Sequence, residues 1–152
     1  MDWDAPPLDR YDSGGSAARL WVPAPGVIVT RASGQGTLAA LELYTRRMNQ
    51  LIATGQRHDV FHHWRDVKAF DPEAREHLRT WAAAHADRLH DASYLVASRL
   101  LSMALSVAAL ALRRDLFVTT REGEFAARLD RALVAAAEKS GSAGPTSRRG
   151  GR

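Results

Sequence analysis

The sequence has 152 residues, 45% of them hydrophobic and 25% charged, which is typical of one globular domain with its own core. It contains no cysteine, so disulfides, thiolate nucleophiles and zinc–thiolate sites are excluded. The net charge of +4 is small, and the start "MDWDAPPLDRYDSGGS" lacks the basic-then-apolar order of a signal peptide, so we expect a cytoplasmic protein.

Both ends of the chain have the composition of disordered segments. Residues 1–16 contain four Asp and one Arg, and residues 140–152 contain three Arg and no acidic residue. Segments this rich in Gly, Pro and small polar residues bury little apolar surface. We therefore predict a disordered acidic N-terminal segment over 1–16, one folded domain over 17–139, and a disordered basic tail over 140–152.

The folded region begins with two β-rich runs and a helix. "ARLWVPA" (17–23) and "GVIVTRA" (26–32) are separated by a Pro-Gly pair, which predicts a hairpin or two successive strands. Apolar residues then recur at helical spacing, and Gly55 stands where the residue after a helix C-terminus belongs. We predict a helix over about 36–54.

A second strand and helix follow. "HDVFHHW" (58–64) has the composition of a strand. Asp71 then precedes a proline, which is the pattern of an N-cap followed by proline at the first helical position. Apolar residues at helical spacing extend this predicted helix to about His90.

The last part of the chain alternates strand and helix twice more. "ASYLVAS" (92–98) is a predicted strand, and Ser98 can cap a helix over 99–112. "DLFVTT" (115–120) is a predicted strand, and apolar residues from Phe125 onward indicate a closing helix. The order β-β-α-β-α-β-α-β-α predicts an α/β fold: a mixed, mostly parallel sheet of about five strands with about four helices.

One apolar run is long enough to resemble a membrane span. The stretch 92–112 has 21 residues and one charge, that of Arg99. Its predicted helical part of about 14 residues would measure ~21 Å, against a hydrocarbon core of ~30 Å. We therefore predict a buried core helix and no membrane span.

Three stretches of the sequence together resemble the STAS domain family. They are "GVIVTRASGQGTLAALELYTRRMNQLI", "HDVFHHWRDVKAFDPEAREHL" and "SYLVASRLLSMALSVAALAL…LFVTTREGEFAARL". The family includes the anti-sigma-factor antagonists, the regulatory domains of sulfate transporters and divergent single-domain bacterial relatives. The resemblance covers about residues 17–137 and implies a bacterial regulatory module with a STAS-like fold.

The sequence departs from this family at its regulatory position. Antagonist STAS domains carry a phosphorylated Ser or Thr at the helix start after the central strand. Here no Ser or Thr occurs between His58 and Arg79, and Asp71 occupies the helix start. The phosphoswitch of the family therefore cannot be carried over.

Three histidines within "HDVFHHW" raise the possibility of a metal site. Residues alternate faces along a strand, so His58, His62 and Trp64 are expected on one face and His63 on the other. Catalytic zinc needs about three protein ligands, so this split argues against a site. We predict no metal and no cofactor, and keep a pair of His58 and His62 as the minor alternative.

Aromatic and arginine residues after this strand are typical anchors of protein interfaces. We predict a non-enzymatic module that binds a protein partner through one end of its sheet. The residues expected at this surface are Trp64, Arg65, Asp66, Phe70, Ser98 and Arg99.

A ligand-binding protein or an enzyme stays open as an alternative at this point. The same strand end could border a pocket for a small apolar or anionic ligand, or for an enzyme's substrate, with Leu100, Met103 and the histidines in its lining. The three arginines of the C-terminal tail have no aromatic residues between them, so they do not predict specific nucleic-acid binding.

Overall fold

The computed structural model describes residues 1–98 and 116–141, which form one six-stranded sheet with helices on both faces. The strands are β1 (Asp9–Ser13), β2 (Ser16–Ala24), β3 (Val27–Gly36), β4 (His58–Phe70), β5 (Leu89–Leu95) and β6 (Phe117–Thr119), and they lie side by side in chain order. β1, β2 and β3 are antiparallel, whereas β3 to β6 are parallel. The predicted mixed, mostly parallel α/β fold is confirmed.

Three helices are present in the described part of the chain, and they divide the core into two layers. They are α1 (Leu38–Ile52), α2 (Pro72–Ala84) and α3 (Glu122–Gly141). α1 and α2 pack on one face of the sheet, in a cluster that includes Ile28, Met48 and Trp81. α3 packs on the other face, in a cluster that includes Val29, Phe61, Leu95, Phe125 and Leu129. Val60 and Phe61 belong to different layers because successive strand residues point to opposite faces.

The structure differs from the predicted strand and helix counts. A sixth strand, β1, lies inside residues 1–16, where disorder was predicted. The predicted helix over 99–112 lies outside the described residues, as does most of the predicted tail. Within the ranges that are described, no helix is long and apolar enough to cross a membrane.

β4 is longer than predicted and takes up the segment expected to be a loop. It continues from Trp64 to Phe70, paired with β3 as far as the Gly36–Phe70 pair. The register of this pairing shifts twice, which marks bulges or irregularities. As a result burial along this half of β4 repeats every third residue, at Trp64, Val67 and Phe70, instead of alternating.

A polar contact fastens α3 to β5. Arg128 donates from Nε to the buried Ser93 Oγ at 2.9 Å and forms an ion pair with Asp91. Its guanidinium also lies 4.7 Å from the centroid of the Phe117 ring. Arg128 of α3 therefore contacts both β5 and β6, the last two strands of the sheet.

Replacing Arg128 by alanine is expected to lower the free energy of unfolding by about 1–2 kcal/mol, because a charge-assisted hydrogen bond and a half-exposed ion pair are lost. The matched control is Arg131→Ala, which removes an exposed arginine from the same helix. Urea denaturation followed by circular dichroism measures both variants. Equal stabilities of the two variants would contradict the role assigned to Arg128.

Candidate functional site

The exposed side chains at the carboxyl end of β4 form a charged rim. Arg65, Asp66 and Lys68 are all exposed along the bulged half of the strand, with the buried Val67 between Asp66 and Lys68. We call these three residues, together with the half-buried Phe70 at the strand end, the β4 rim. They lie beyond the pairing of β4 with β5, which ends at the pair of His63 with Leu95.

Two ion pairs connect the β4 rim to neighbouring elements. Arg65 donates to Glu122 of α3 at 2.8 Å, and Asp66 lies 3.8 Å from Arg31 of β3. Glu122 also accepts a hydrogen bond from His63 Nε2 at 3.3 Å. The hydrogen bond from His63, followed by that from Arg65, lowers the pKa of Glu122. The carboxylate of Glu122 is thus ionised and bridges a strand to the start of a helix.

Trp64 is buried, so the prediction that it is an exposed anchor is wrong. Only 5% of its surface is accessible, and its indole Nε1 donates to Thr30 Oγ1 at 3.2 Å. The ring packs against Phe70 at 5.5 Å between centroids, on the face of the sheet that carries α1. Trp64 therefore supports the β4 rim from the buried side of the strand, through its contact with Phe70.

Phe70, the last residue of β4, packs directly against Gly36 of β3. A Cβ atom on Gly36 would collide with the Phe70 ring, so the ring can lie there only because residue 36 has no side chain. Of the other predicted partner-binding residues, Ser98 is exposed just after β5, and Arg99 lies outside the described residues.

A buried chain of polar groups lies directly under the β4 rim. Thr30 Oγ1 accepts from Trp64 and lies 2.8 Å from His62 Nδ1, to which its hydroxyl can donate. His62 Nε2 in turn lies 3.5 Å from the hydroxyl of Tyr44. Burial lowers the pKa of His62 to about 3 and raises that of Tyr44, so both groups are neutral. The chain orients three aromatic side chains without placing a charge in the core.

His58, His62 and His63 do not come together as three ligands of one ion. Both ring nitrogens of His62 face hydroxyl partners, and no group of three potential ligands was found among residues 1–98 and 116–141. His58 is buried at the opposite end of β4, where burial lowers its pKa. The alternation of His62 and His63 between the two faces agrees with the prediction.

An apolar cavity of about 40 Å³ lies behind Trp64, between α1 and the first strands. Its lining includes Leu20, Leu41, Tyr44 and Phe70. Engineered cavities that bind benzene measure roughly 150 Å³, so this space holds no ligand of that size in the present conformation. The alternative of a small-ligand carrier or enzyme gains no support from it, and the expected lining residues Leu100 and Met103 lie outside the described residues.

Asp71 makes a contact that the N-cap prediction missed. It precedes α2, but its side chain makes no capping hydrogen bond. Instead its Oδ1 accepts from Gln35 Nε2 of β3 at 2.8 Å, and its backbone N–H donates to the carbonyl of Gly36. The start of α2 is therefore fixed to β3 at Asp71.

Comparison with solved structures identifies this architecture as STAS-like. An uncharacterized protein of the DUF3478 family with a SpoIIAA-like fold, from Shewanella loihica PV-4, superposes with a TM-score of 0.63 at 13% identity, covering 78% of this chain and 98% of its own. The anti-sigma factor antagonist SpoIIAA in its unphosphorylated form superposes with a TM-score of 0.57 at 12% identity, covering 76% of this chain and 99% of its own. No protein-family model and no curated protein matches the sequence. The predicted STAS-like fold is confirmed, and at these identities the likeness shows the fold alone.

Proposed function

We propose that this STAS-like chain is a non-enzymatic regulatory or scaffold module that binds a protein partner through the β4 rim. The observation that carries the proposal is the course of β4, which projects Arg65, Asp66 and Lys68 beyond its pairing with β5. Exposed charges at a strand end steer and orient an incoming protein surface.

The contacts beneath the β4 rim support the same function. The buried Trp64 packs against Phe70 of the rim, while Glu122 forms an ion pair with Arg65 and Arg31 forms one with Asp66. Side chains fixed in this way lose less conformational entropy when a partner binds. The β4 rim is therefore a preorganised surface, with Ser98 beside the next strand end as a further proposed contact.

The named fold relative gives the proposal its regulatory character. SpoIIAA is described as an antagonist of an anti-sigma factor, and such a role requires binding to another protein. Because residues 58–79 contain no Ser or Thr, we propose binding that is not switched by phosphorylation at the start of α2. The hydrogen bond between Gln35 and Asp71 would hold that helix start in one arrangement.

Affinity capture with a rim variant tests this function. The double variant Arg65→Ala, Lys68→Ala removes two positive charges from the β4 rim. Its matched control, Arg57→Ala, Arg88→Ala, removes two exposed arginines at the opposite end of the sheet. We expect the wild type and the control to capture the same proteins from a bacterial lysate, and the rim variant to lose them.

A purified partner then makes the test quantitative. Binding measured by calorimetry should weaken at least about tenfold for the rim variant, which corresponds to roughly 1.4 kcal/mol. If all three proteins retain the same partners with the same affinity, the β4 rim is not the binding surface.

A further inference from the structure

The first residues of the chain lie against the sheet face that carries α3. We call residues 1–8 the N-terminal strap. The indole of Trp3 meets Trp21 of β2 edge-on at 5.6 Å and His63 of β4 at 5.2 Å between ring centroids. The guanidinium of Arg31 lies 5.7 Å from the centroid of the Trp3 ring. Trp3 is thus enclosed by two rings and one cation, which come from three adjacent strands.

Contacts at both ends hold the rest of the N-terminal strap: Met1 packs against the apolar cluster on the α3 face, and its amino group lies 3.8 Å from Asp130 of α3. The Trp21 indole donates to the carbonyl of Ala5 at 2.8 Å, and the backbone N–H of Leu8 donates to Leu20 at 2.8 Å. No helix or strand occurs in residues 1–8. A segment without regular backbone pairing exchanges with solvent more easily than the hydrogen-bonded strands beneath it.

Two clefts flank the N-terminal strap, so it does not fill the surface on which it lies. One measures about 450 Å³ and the other about 560 Å³. The first is lined by Asp4 of the strap together with Arg19, Arg31 and Asp66 of the sheet. Each cleft falls within the range of roughly 300–1,000 Å³ that is usual for binding pockets.

We propose that the sheet face formed by Trp21, Arg31 and His63 is a second binding site, for an acidic segment of another protein that carries a tryptophan. The N-terminal strap occupies this site as an internal ligand. Its own sequence, Asp2-Trp3-Asp4, indicates the chemistry that the site accepts: an indole between Trp21, Arg31 and His63, with a carboxylate, that of Asp4, in the same cleft as Arg31.

The physical basis is that of an interface anchor. Tryptophan in an enclosed pocket contributes more to binding than most side chains, and an arginine over its ring adds a cation–π attraction. Because the strap is joined to β1, it competes at an effective concentration in the millimolar range. A partner segment would have to bind more tightly than the strap or present a longer contact along the clefts. This site lies on the face opposite the cavity behind Trp64 and goes beyond the function proposed for the β4 rim.

A peptide of the strap's own sequence tests the site directly. The probe is the fluorescent peptide Asp-Trp-Asp-Ala-Pro-Pro, and its binding to the full chain is followed by anisotropy. Trp3→Ala removes the indole that lies between Trp21, Arg31 and His63. We therefore expect this variant to bind the peptide at least about tenfold more tightly than the wild type. Trp3→Leu is measured in parallel, so that a failure of Trp3→Ala to fold leaves the test intact.

Two changes check the chemistry of recognition. A peptide with alanine in place of tryptophan should lose binding to the Trp3→Ala protein. Adding Arg31→Ala to Trp3→Ala should also weaken binding of the original peptide, whereas adding the distant Arg57→Ala should not.

Three results would overturn the proposal. They are no peptide binding to either folded Trp3 variant, equal binding to the variants and the wild type, and a wild-type dimer in light scattering that Trp3→Ala abolishes. The last result would assign the site to the strap of a second copy of the chain.

Discussion

Gly34→Ala is expected to destabilise the fold by about 2–4 kcal/mol, because the substitution combines an unfavourable backbone conformation with an overlap that cannot relax locally. Gly34 has a φ of +76°, a conformation that residues with a Cβ rarely adopt. The added Cβ would also collide with the backbone carbonyl of Gly15, in the turn between β1 and β2. A backbone atom cannot rotate away as the end of a side chain can, so the hairpin would have to move.

Gly123→Ala is the matched control for this substitution. Gly123 lies in the first turn of α3, where an added Cβ meets no atom within 4 Å. Alanine is the better helix former by up to about 1 kcal/mol, so this variant should be as stable as the wild type or slightly more so. Urea denaturation monitored by circular dichroism compares the two, and a loss below about 1 kcal/mol for Gly34→Ala would contradict the tight packing of the hairpin.

The hairpin that meets Gly34 is also where the sequence was least informative. Gly14 and Gly15 both have positive φ, with the two-residue turn typical of a tight hairpin. This Gly-Gly signal is visible in the sequence. The surrounding stretch "PPLDRYDSGGS" is nevertheless so rich in Gly, Pro and small polar residues that its composition predicts disorder. β1 is held instead by ion pairs to other elements, Arg47 with Asp9 and Arg19 with Asp12, which no local pattern reveals.

The parallel core was predictable because its strands and helices have clear local sequence patterns. Its strands are short apolar runs bounded by turn residues, and its helices carry apolar side chains at regular spacing. Ile28, Met48, Val60 and Trp81, which pack together in one cluster, all lie on segments that these periods predict to be strands or helices. The alternation of His62 and His63 between faces was predictable because strand period is a local property.

The detailed arrangement of the β4 rim could not be predicted from the sequence. The pattern of exposure along the second half of β4 depends on its irregular pairing with β3, which sets a spacing of three between Trp64, Val67 and Phe70. A burial spacing of three does not match the two-residue period of a regular strand, so the sequence pattern predicts a loop over this segment. The partners Glu122 and Arg31 were missed as well, because each is distant in sequence from the residue that it binds.

Lowering the pH from 6.5 to 5 is expected to cost about 2 kcal/mol of stability through His62 alone, at about 1.4 kcal/mol per pH unit. Burial lowers the pKa of His62 from 6.5 to about 3 in the folded protein. Between these two values the unfolded chain binds a proton that the folded protein does not. The stabilising contribution is therefore complete above pH 6.5 and is lost as the pH falls toward about 3.

His62→Gln isolates this contribution, because glutamine retains hydrogen-bonding groups but does not titrate. The variant should be less stable than the wild type at pH 8, yet its free energy of unfolding should fall less steeply between pH 6.5 and 5. Some slope should persist, since burial also lowers the pKa of His58. Tyr94→Phe serves as the control: the ring that stacks on His62 at 4.5 Å is kept, and so is the imidazole. Urea titrations at a series of pH values give the slopes, and equal slopes for His62→Gln and the wild type would show that His62 is not neutral in the folded core.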